Sequence, residues 1–218
     1  MTRDLRRVWP LLDYSRLDQT YGPWSDSVEN VVRRYERESL ERTSKYMDDF
    51  YAHERIGDAP LMPLITLPEE RFHASLHSTS VAGAKKATAL GVSPQITMSK
   101  SFVKSSQAMT RFIRDAAREQ VRVTSLSDNR LGAWERVGTG DTCGFCLMLI
   151  SRGAVYSKGS VRFASHTNCN CEVQPAHSYE AKSVDEYRRS DRTIVFDDKQ
   201  KQANKDRIAH YLELHELG

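Results

Sequence analysis

Long apolar runs are missing from this sequence of 218 residues. No stretch approaches the roughly 20 apolar residues that a membrane-spanning helix needs, so no such span is expected. Residues 1–7 are basic, but no apolar region follows them, and a secretory signal is therefore not predicted. The hydrophobic share of 39% is low for a compact globular protein, yet it is too high for a disordered chain.

Several catalytic motifs are absent as well. The sequence has no Gly-x-Ser-x-Gly elbow, no His-Glu-x-x-His helix and no phosphate-binding glycine loop. The net charge of +3 is close to balance, which argues against a protein that coats nucleic acid. A local basic ridge remains, which we interpret as a solvated helix face, with phosphate binding as the alternative. It consists of Arg111, Arg114, Arg118 and Arg122.

Cysteine is scarce, and its placement carries most of the functional information. All four cysteines lie between residues 143 and 171, in the two pairs Cys143/Cys146 and Cys169/Cys171. His166 precedes the second pair by three residues. In a reducing cytosol, paired cysteines more often hold a metal than form disulfides.

The spacing of these residues suggests a structural zinc site. Zinc prefers four tetrahedral ligands, and a Cys-x-x-Cys turn aims both sulfurs at one point. Gly144 would let the backbone fold back between the first two cysteines. The four ligands would be Cys143, Cys146 and two of the three residues His166, Cys169 and Cys171.

Two other interpretations of the cysteine cluster stay open. The thiols can be structural without a metal, either reduced or linked in disulfides. Alternatively, Asp141, Cys143 or Cys146, and His166 can form a Cys-His-Asp catalytic centre, in which His166 activates the thiol. The residue types alone do not show that these groups meet.

The apolar spacing predicts an α+β protein that is mainly helical. Residues 1–125 should form a helical body, with a proline-rich connector at 57–71. Residues 126–176 should form a small Cys/His-rich α+β unit. A charged tail with a terminal helix should occupy 177–218, and a brief edge strand is expected at 193–196.

The expected elements can be placed more closely. An entry segment with short turns at 8–24 should dock its aromatic rings on a later helix, although a partner anchor is the alternative. A long helix capped by Ser25 or Asp26 should follow over 26–55. Further helices are predicted at 74–90, closed by Gly91, and at 98–124, opened by Thr97 or Ser99 after a break at Pro94. Short strands are predicted at 134–138 and 154–157.

At the cysteine stretch the sequence resembles the phage Mu protein F-like head morphogenesis proteins. That family has a Cys-x-x-Cys, then a loop and a His-x-x-Cys-x-Cys before a proline, which here is Pro175. Trp9-Pro-Leu-Leu-Asp13, the segment 20–24 and the helix 31–51 resemble the forms of actinobacterial phages, often labelled capsid maturation protease or minor capsid protein. The resemblance covers roughly residues 8–176.

The resemblance implies a minor component of a tailed-phage head. Such a protein would be assembled in the host cytoplasm and lie inside the capsid near the portal. Its expected partners are the portal protein, the major capsid protein and, as a further option, packaged DNA; no membrane is involved. We therefore carry two hypotheses, a non-enzymatic assembly protein with a zinc- or thiol-stabilised knuckle, and a maturation protease with a Cys/His centre.

Overall fold

A computed structural model describes residues 1–138, 144–161 and 171–181. The chain divides into two compact units, Met1–Val121 and Arg122–Gly218. The predicted class is confirmed, because helices dominate and the strands form two small antiparallel sheets. Within the described ranges, no helix is both long enough and apolar enough to cross a membrane.

The first unit is built from helices around one apolar core. Its centre contains Trp24, Leu40, Phe72, Leu76 and Met109, each fully buried. Two short 3-10 turns, Trp9–Leu11 and Tyr14–Arg16, separate the first helix from the second. The helices are α1 (Thr2–Val8), α2 (Leu17–His53), α3 (Glu69–Thr79), α4 (Val81–Ala89) and α5 (Pro94–Leu126), the last of which continues into the second unit.

The long helix α2 begins nine residues before the predicted start at residue 26, so the expected cap at Ser25 or Asp26 is wrong. Ser25 instead lies inside the helix and is buried. Pro23 is also within the helix, where a proline ordinarily costs about 3 kcal/mol. The helical path places Leu17, Trp24 and Val28 on one face, and all three are buried. Burial of this face outweighs the local cost of placing Pro23 inside the helix.

The aromatic residues of the entry segment dock on a later helix, as predicted. The Trp9 ring meets both Trp24 and Phe102 edge to face, with centroid distances of 5.2 Å in each case. Phe102 belongs to α5, so Trp9 ties the segment before α2 to that helix. Edge-to-face pairs of this kind contribute about 0.5–1.5 kcal/mol beyond the burial of their area.

The proline-rich connector follows α2 and crosses the body without regular structure until α3 begins at Glu69. Side chains of neighbouring helices hold its backbone. Gln120 accepts a hydrogen bond from Ile65 N at 2.8 Å and donates one to Pro63 O at 3.2 Å. The buried carboxylate of Glu36 accepts from Leu67 N at 3.1 Å. The connector is therefore ordered by the body itself.

The helix predicted at 74–90 is in fact two helices, α3 and α4, which meet at Ser80. Ser80 is fully buried, and its hydroxyl donates to Leu76 O at 2.7 Å. This local hydrogen bond competes with a continuing helix, which is why serine favours such junctions. Gly91 has a φ of 75° just beyond α4, so the predicted glycine stop is confirmed.

Pro94 does not break the chain before α5 but opens that helix. A proline suits the first helical position, because its missing N–H would have no partner there and its φ is already helical. The predicted start at Thr97 or Ser99 is therefore a few residues late. Thr97 lies within the first turn and is buried.

Within its described residues, the second unit contains two small sheets, the end of α5 and one further helix. Strand β1 (Ala133–Gly138) pairs antiparallel with β3 (Cys171–Ala176), and β2 (Gly153–Ala154) pairs with β4 (Glu180–Ala181). The predicted strand at 134–138 is confirmed. The one expected at 154–157 is shorter, with an isolated bridge from Tyr156 to Trp134 beyond β2.

Sequence reasoning missed two elements of this unit, α6 (Gly144–Ser151) and β3. The residues after Cys143 were expected to turn back, but Gly144 begins a helix that contains Cys146. Pro175 lies within β3, where a proline usually argues against a strand. The predicted terminal helix and the strand at 193–196 lie outside the described residues.

Candidate metal centre

Of the predicted site residues, the structure describes Cys146 on α6 and Cys171 at the start of β3. One belongs to each cysteine pair, and both lie in one buried cluster against Phe145. Their exposed fractions are 2% and 1%, and no disulfide joins them. Asp141, Cys143, His166 and Cys169 lie outside the described residues. The convergence of all the proposed ligands therefore stays a prediction.

A buried arginine accompanies the two thiols. Arg136 is 3% exposed, and its Nη1 donates to Cys171 Sγ at 2.8 Å. The register of the sheet explains this contact. Arg136 lies opposite Val173, and Cys171 is the diagonal neighbour two residues away on the same face. A long side chain can span such a diagonal.

Electrostatics keep the guanidinium of Arg136 charged inside the unit. Burial works to lower the pKa of Arg136, but the neighbouring Cys171, Tyr156 and Cys146 groups raise it above the ordinary arginine value. A buried cation is costly unless negative charge lies close to it. Anionic sulfur within hydrogen-bond distance is therefore what this position favours.

Side-chain and backbone hydrogen bonds hold the strand that carries Arg136 in place. Trp134 is fully buried, and its indole Nε1 donates to Ser125 Oγ at 2.7 Å. Trp134 and Tyr156 exchange backbone hydrogen bonds of 2.9 and 3.1 Å. These contacts place Tyr156, which is also buried, beside β1.

One feature of the sequence predicts the burial of Arg136. Trp134 and Arg136 are two positions apart in a predicted strand, so they share a face. A strand that buries its tryptophan must also bury this arginine. A buried arginine near four cysteines then points to thiolate partners.

The predicted basic ridge on α5 is not a solvated face throughout. Arg118 is only 5% exposed, and its Nη1 lies 3.0 Å from Asp115 Oδ1. Asp115 also contacts Arg71 closely, and its carboxylate lies 3.7 Å from Arg111 Nε. One carboxylate thus neutralises part of the ridge, which weakens the case for phosphate binding there.

Comparison with known proteins places the chain in a family. The model of the VG15 protein family matches residues 1–192, which is most of the chain. This chain belongs to the VG15 protein family. No solved structure matches it.

A curated relative supports a phage origin. The chain is 33% identical over 126 residues to the Gene 15 protein of Mycobacterium phage L5. That match covers 54% of this chain and 40% of the relative, so the chain spans well under two thirds of the relative's length. The protein is thus a bacteriophage protein, as expected. The finer assignment to the Mu protein F-like group stays a prediction.

The described part of the centre in this VG15-family chain fits a zinc–thiolate site. Zinc binds thiolates rather than thiols, and a site with several thiolates carries negative charge. The Arg136 guanidinium, 2.8 Å from Cys171 Sγ, is well placed to balance that charge. If bound, zinc would be held by Cys143, Cys146, Cys171 and either His166 or Cys169, and it would cross-link α6 to β3.

The catalytic interpretation has less support at Cys146. A nucleophilic thiol must be reached by its substrate, but Cys146 is 2% exposed and packs against Cys171 and Phe145. Asp141, Cys143 and His166, the other members of that alternative, lie outside the described residues.

Proposed function

We propose that this protein is a minor head protein of a tailed phage and that it works by binding. It lies inside the capsid near the portal and contacts the portal or major capsid protein during head assembly, DNA packaging or ejection. Membership of a phage protein family and the resemblance of the cysteine stretch to Mu F-like proteins support this proposal. Contact with packaged DNA is secondary, because Asp115 already pairs with part of the basic ridge.

One observation carries the binding role. The connector is held in place by Gln120 and Glu36, yet Leu61 is 101% exposed and Leu64 is 40% exposed. Apolar side chains presented on an ordered segment lose little conformational entropy when a partner covers them. We therefore place the partner contact at the connector.

The proposal includes a structural zinc ion in the second unit. Zinc would stabilise this small unit by its binding free energy. Elemental analysis combined with thiol titration of the purified protein measures it directly. Zinc that is bound through protected thiols supports this part of the proposal, whereas protein whose thiols hold no metal contradicts it.

The connector contact is tested with charged surface variants. Leu61→Glu together with Leu64→Glu should abolish co-purification with portal or capsid protein while leaving the melting temperature unchanged. Leu90→Glu is the matched control, because Leu90 is 74% exposed on a different surface segment at the end of α4. Equal capture of the connector variant and wild type would contradict the proposed contact.

The protease hypothesis is separated by Cys143→Ala and His166→Ala in infected cells. Under the binding proposal, each variant misfolds or fails to join the particle, while the other head proteins are still processed. A variant that folds and incorporates normally while capsid-protein cleavage stops would replace the binding proposal with the maturation protease.

A further inference from the structure

Three potential metal ligands meet on the helical body, far along the sequence from the cysteines. Glu29 lies on α2, and Glu69 and His73 lie on α3. One ligand atom from each lies within 4.8 Å of the others. We propose that this trio, the Glu29/Glu69/His73 site, binds a divalent transition metal such as Zn²⁺.

The distances suit direct coordination. His73 Nε2 lies 3.4 Å from Glu29 Oε2 and 3.3 Å from Glu69 Oε1. In a tetrahedral zinc site with bonds of about 2.0–2.2 Å, neighbouring ligand atoms are about 3.4 Å apart. The wider separation of the two carboxylates closes by rotation of Glu69, whose side chain is 68% exposed and therefore adjustable.

The helices supply the ligand spacing. Glu69 and His73 are four residues apart on α3, so they lie one above the other on the same face. Phe72 and Leu76 anchor α3 in the core, and both are fully buried. Ligands on packed helices hold their geometry better than ligands on loops.

Arg33 positions the third ligand. Its Nε donates to Glu29 Oε1 at 3.1 Å, which leaves Glu29 Oε2 directed to His73. The same guanidinium donates to the buried Glu36 at 2.8 Å. Outer contacts of this kind orient ligating carboxylates in metal sites.

Charge counting independently favours a cation. The guanidinium of Arg33 pairs with the carboxylates of Glu29 and Glu36, and the carboxylate of Glu69 lies beside Glu29 and His73. These three carboxylates outnumber the one guanidinium that pairs with two of them by two charges. A divalent ion bound by neutral His73 and the two outer carboxylates balances this excess and cross-links α2 to α3. The remaining coordination positions are open to water.

The experiment compares metal stoichiometry in full-length proteins. Wild type, His73→Ala and His77→Ala are equilibrated with zinc by dialysis and analysed for bound metal. His77 is the matched control, because it is an exposed histidine one turn further along α3 and is not part of the trio. His73→Ala should hold one zinc fewer than wild type, and His77→Ala should hold the same number as wild type. Equal stoichiometry in all three proteins would overturn the proposal, as would an equal loss in both variants.

Two further measurements keep this result separate from the cysteine centre. Glu69→Gln replaces an exposed ligand and preserves folding, and it should weaken the affinity of this zinc by about tenfold or more. Cobalt bound at the trio should give a spectrum without sulfur-to-metal charge transfer, since no thiolate belongs to the site. Loss of only a sulfur-bound metal in His73→Ala would contradict the assignment. The proposal does not depend on the cysteine centre, so either site can fail alone.

Discussion

The two units of the chain bury different kinds of side chain. The first surrounds fully buried apolar groups such as Trp24, Phe72 and Met109. The second has short strands, and at its centre the charged Arg136 lies against Cys146 and Cys171. An apolar core is stable whatever ion is present, whereas a buried charge depends on its partners. The first unit therefore depends mainly on apolar burial, and the second depends on the partners of its buried arginine.

The largest effect is expected in the apolar core. Trp24→Ala removes a fully buried ring that packs against Trp9, so it should lower the free energy of unfolding by about 3–5 kcal/mol. Chemical denaturation measures this loss, and the exposed Leu61→Ala serves as control. A loss below that range would mean that the first unit does not depend on this core.

Arg136→Met tests the buried charge of the second unit. It removes the guanidinium that binds Cys171, and breaking a buried charged contact costs about 3 kcal/mol or more. Hydrogen exchange should accelerate in β1 and β3, while α2 stays protected. Lys158→Met is the matched control, because Lys158 is an exposed cation of the same unit whose ammonium donates to Asn129 Oδ1. Equal effects of the two variants would refute the buried-charge interpretation.

A smaller effect is expected when the connector is released. Gln120→Ala removes the bonds to Ile65 and Pro63 and should cost about 1–3 kcal/mol, because it leaves a partly buried backbone N–H without its acceptor. Hydrogen exchange at residues 60–67 should increase. Gln107→Ala, on the same helix, is the control. Unchanged exchange in Gln120→Ala would show that the connector is ordered by other contacts.

The smallest expected effect is a loss of folding stability at acidic pH. The hydrogen bond from Tyr35, aided by Arg34, lowers the pKa of Asp4 below 3.8, and bonds from Ser15 and Arg16 lower the pKa of Asp13 likewise. A lowered folded-state pKa stabilises the protein above the unfolded value, and that contribution is lost as pH falls through the folded value. Unfolding measured from pH 6 to below about pH 4 should show a modest loss that Asp4→Asn reduces. No difference between Asp4→Asn and wild type would contradict this linkage.

In the second unit, local patterns predicted one strand but neither its partner strand nor its contacts. The strand at 134–138 was predictable, since alternating residues end at glycines. Its partner β3 begins at Cys171 and contains Pro175, and no local sequence pattern predicts that the two strands pair. The contact between Arg136 and Cys171 joins residues 35 positions apart, so it exists only once the register of the sheet is set.

The Glu29/Glu69/His73 site shows the same division. The i, i+4 spacing of Glu69 and His73 can be read from the sequence, and the helix that carries them was partly predicted. Glu29 joins them only because α2 and α3 pack together, 40 or more residues apart in the chain. Local propensity does not predict contacts between residues that are so far apart in the chain.

By itself, the sequence determined the helical periodicity, the glycine stop at Gly91 and the gathering of all four cysteines in one stretch. These features depend on neighbours within a turn or two of the chain. Only the tertiary structure decided that α2 runs through Pro23 and that an arginine is buried beside two thiols. Each of these reverses or exceeds a local preference, because the free energy of burying distant side chains together is larger than the local cost that opposes it.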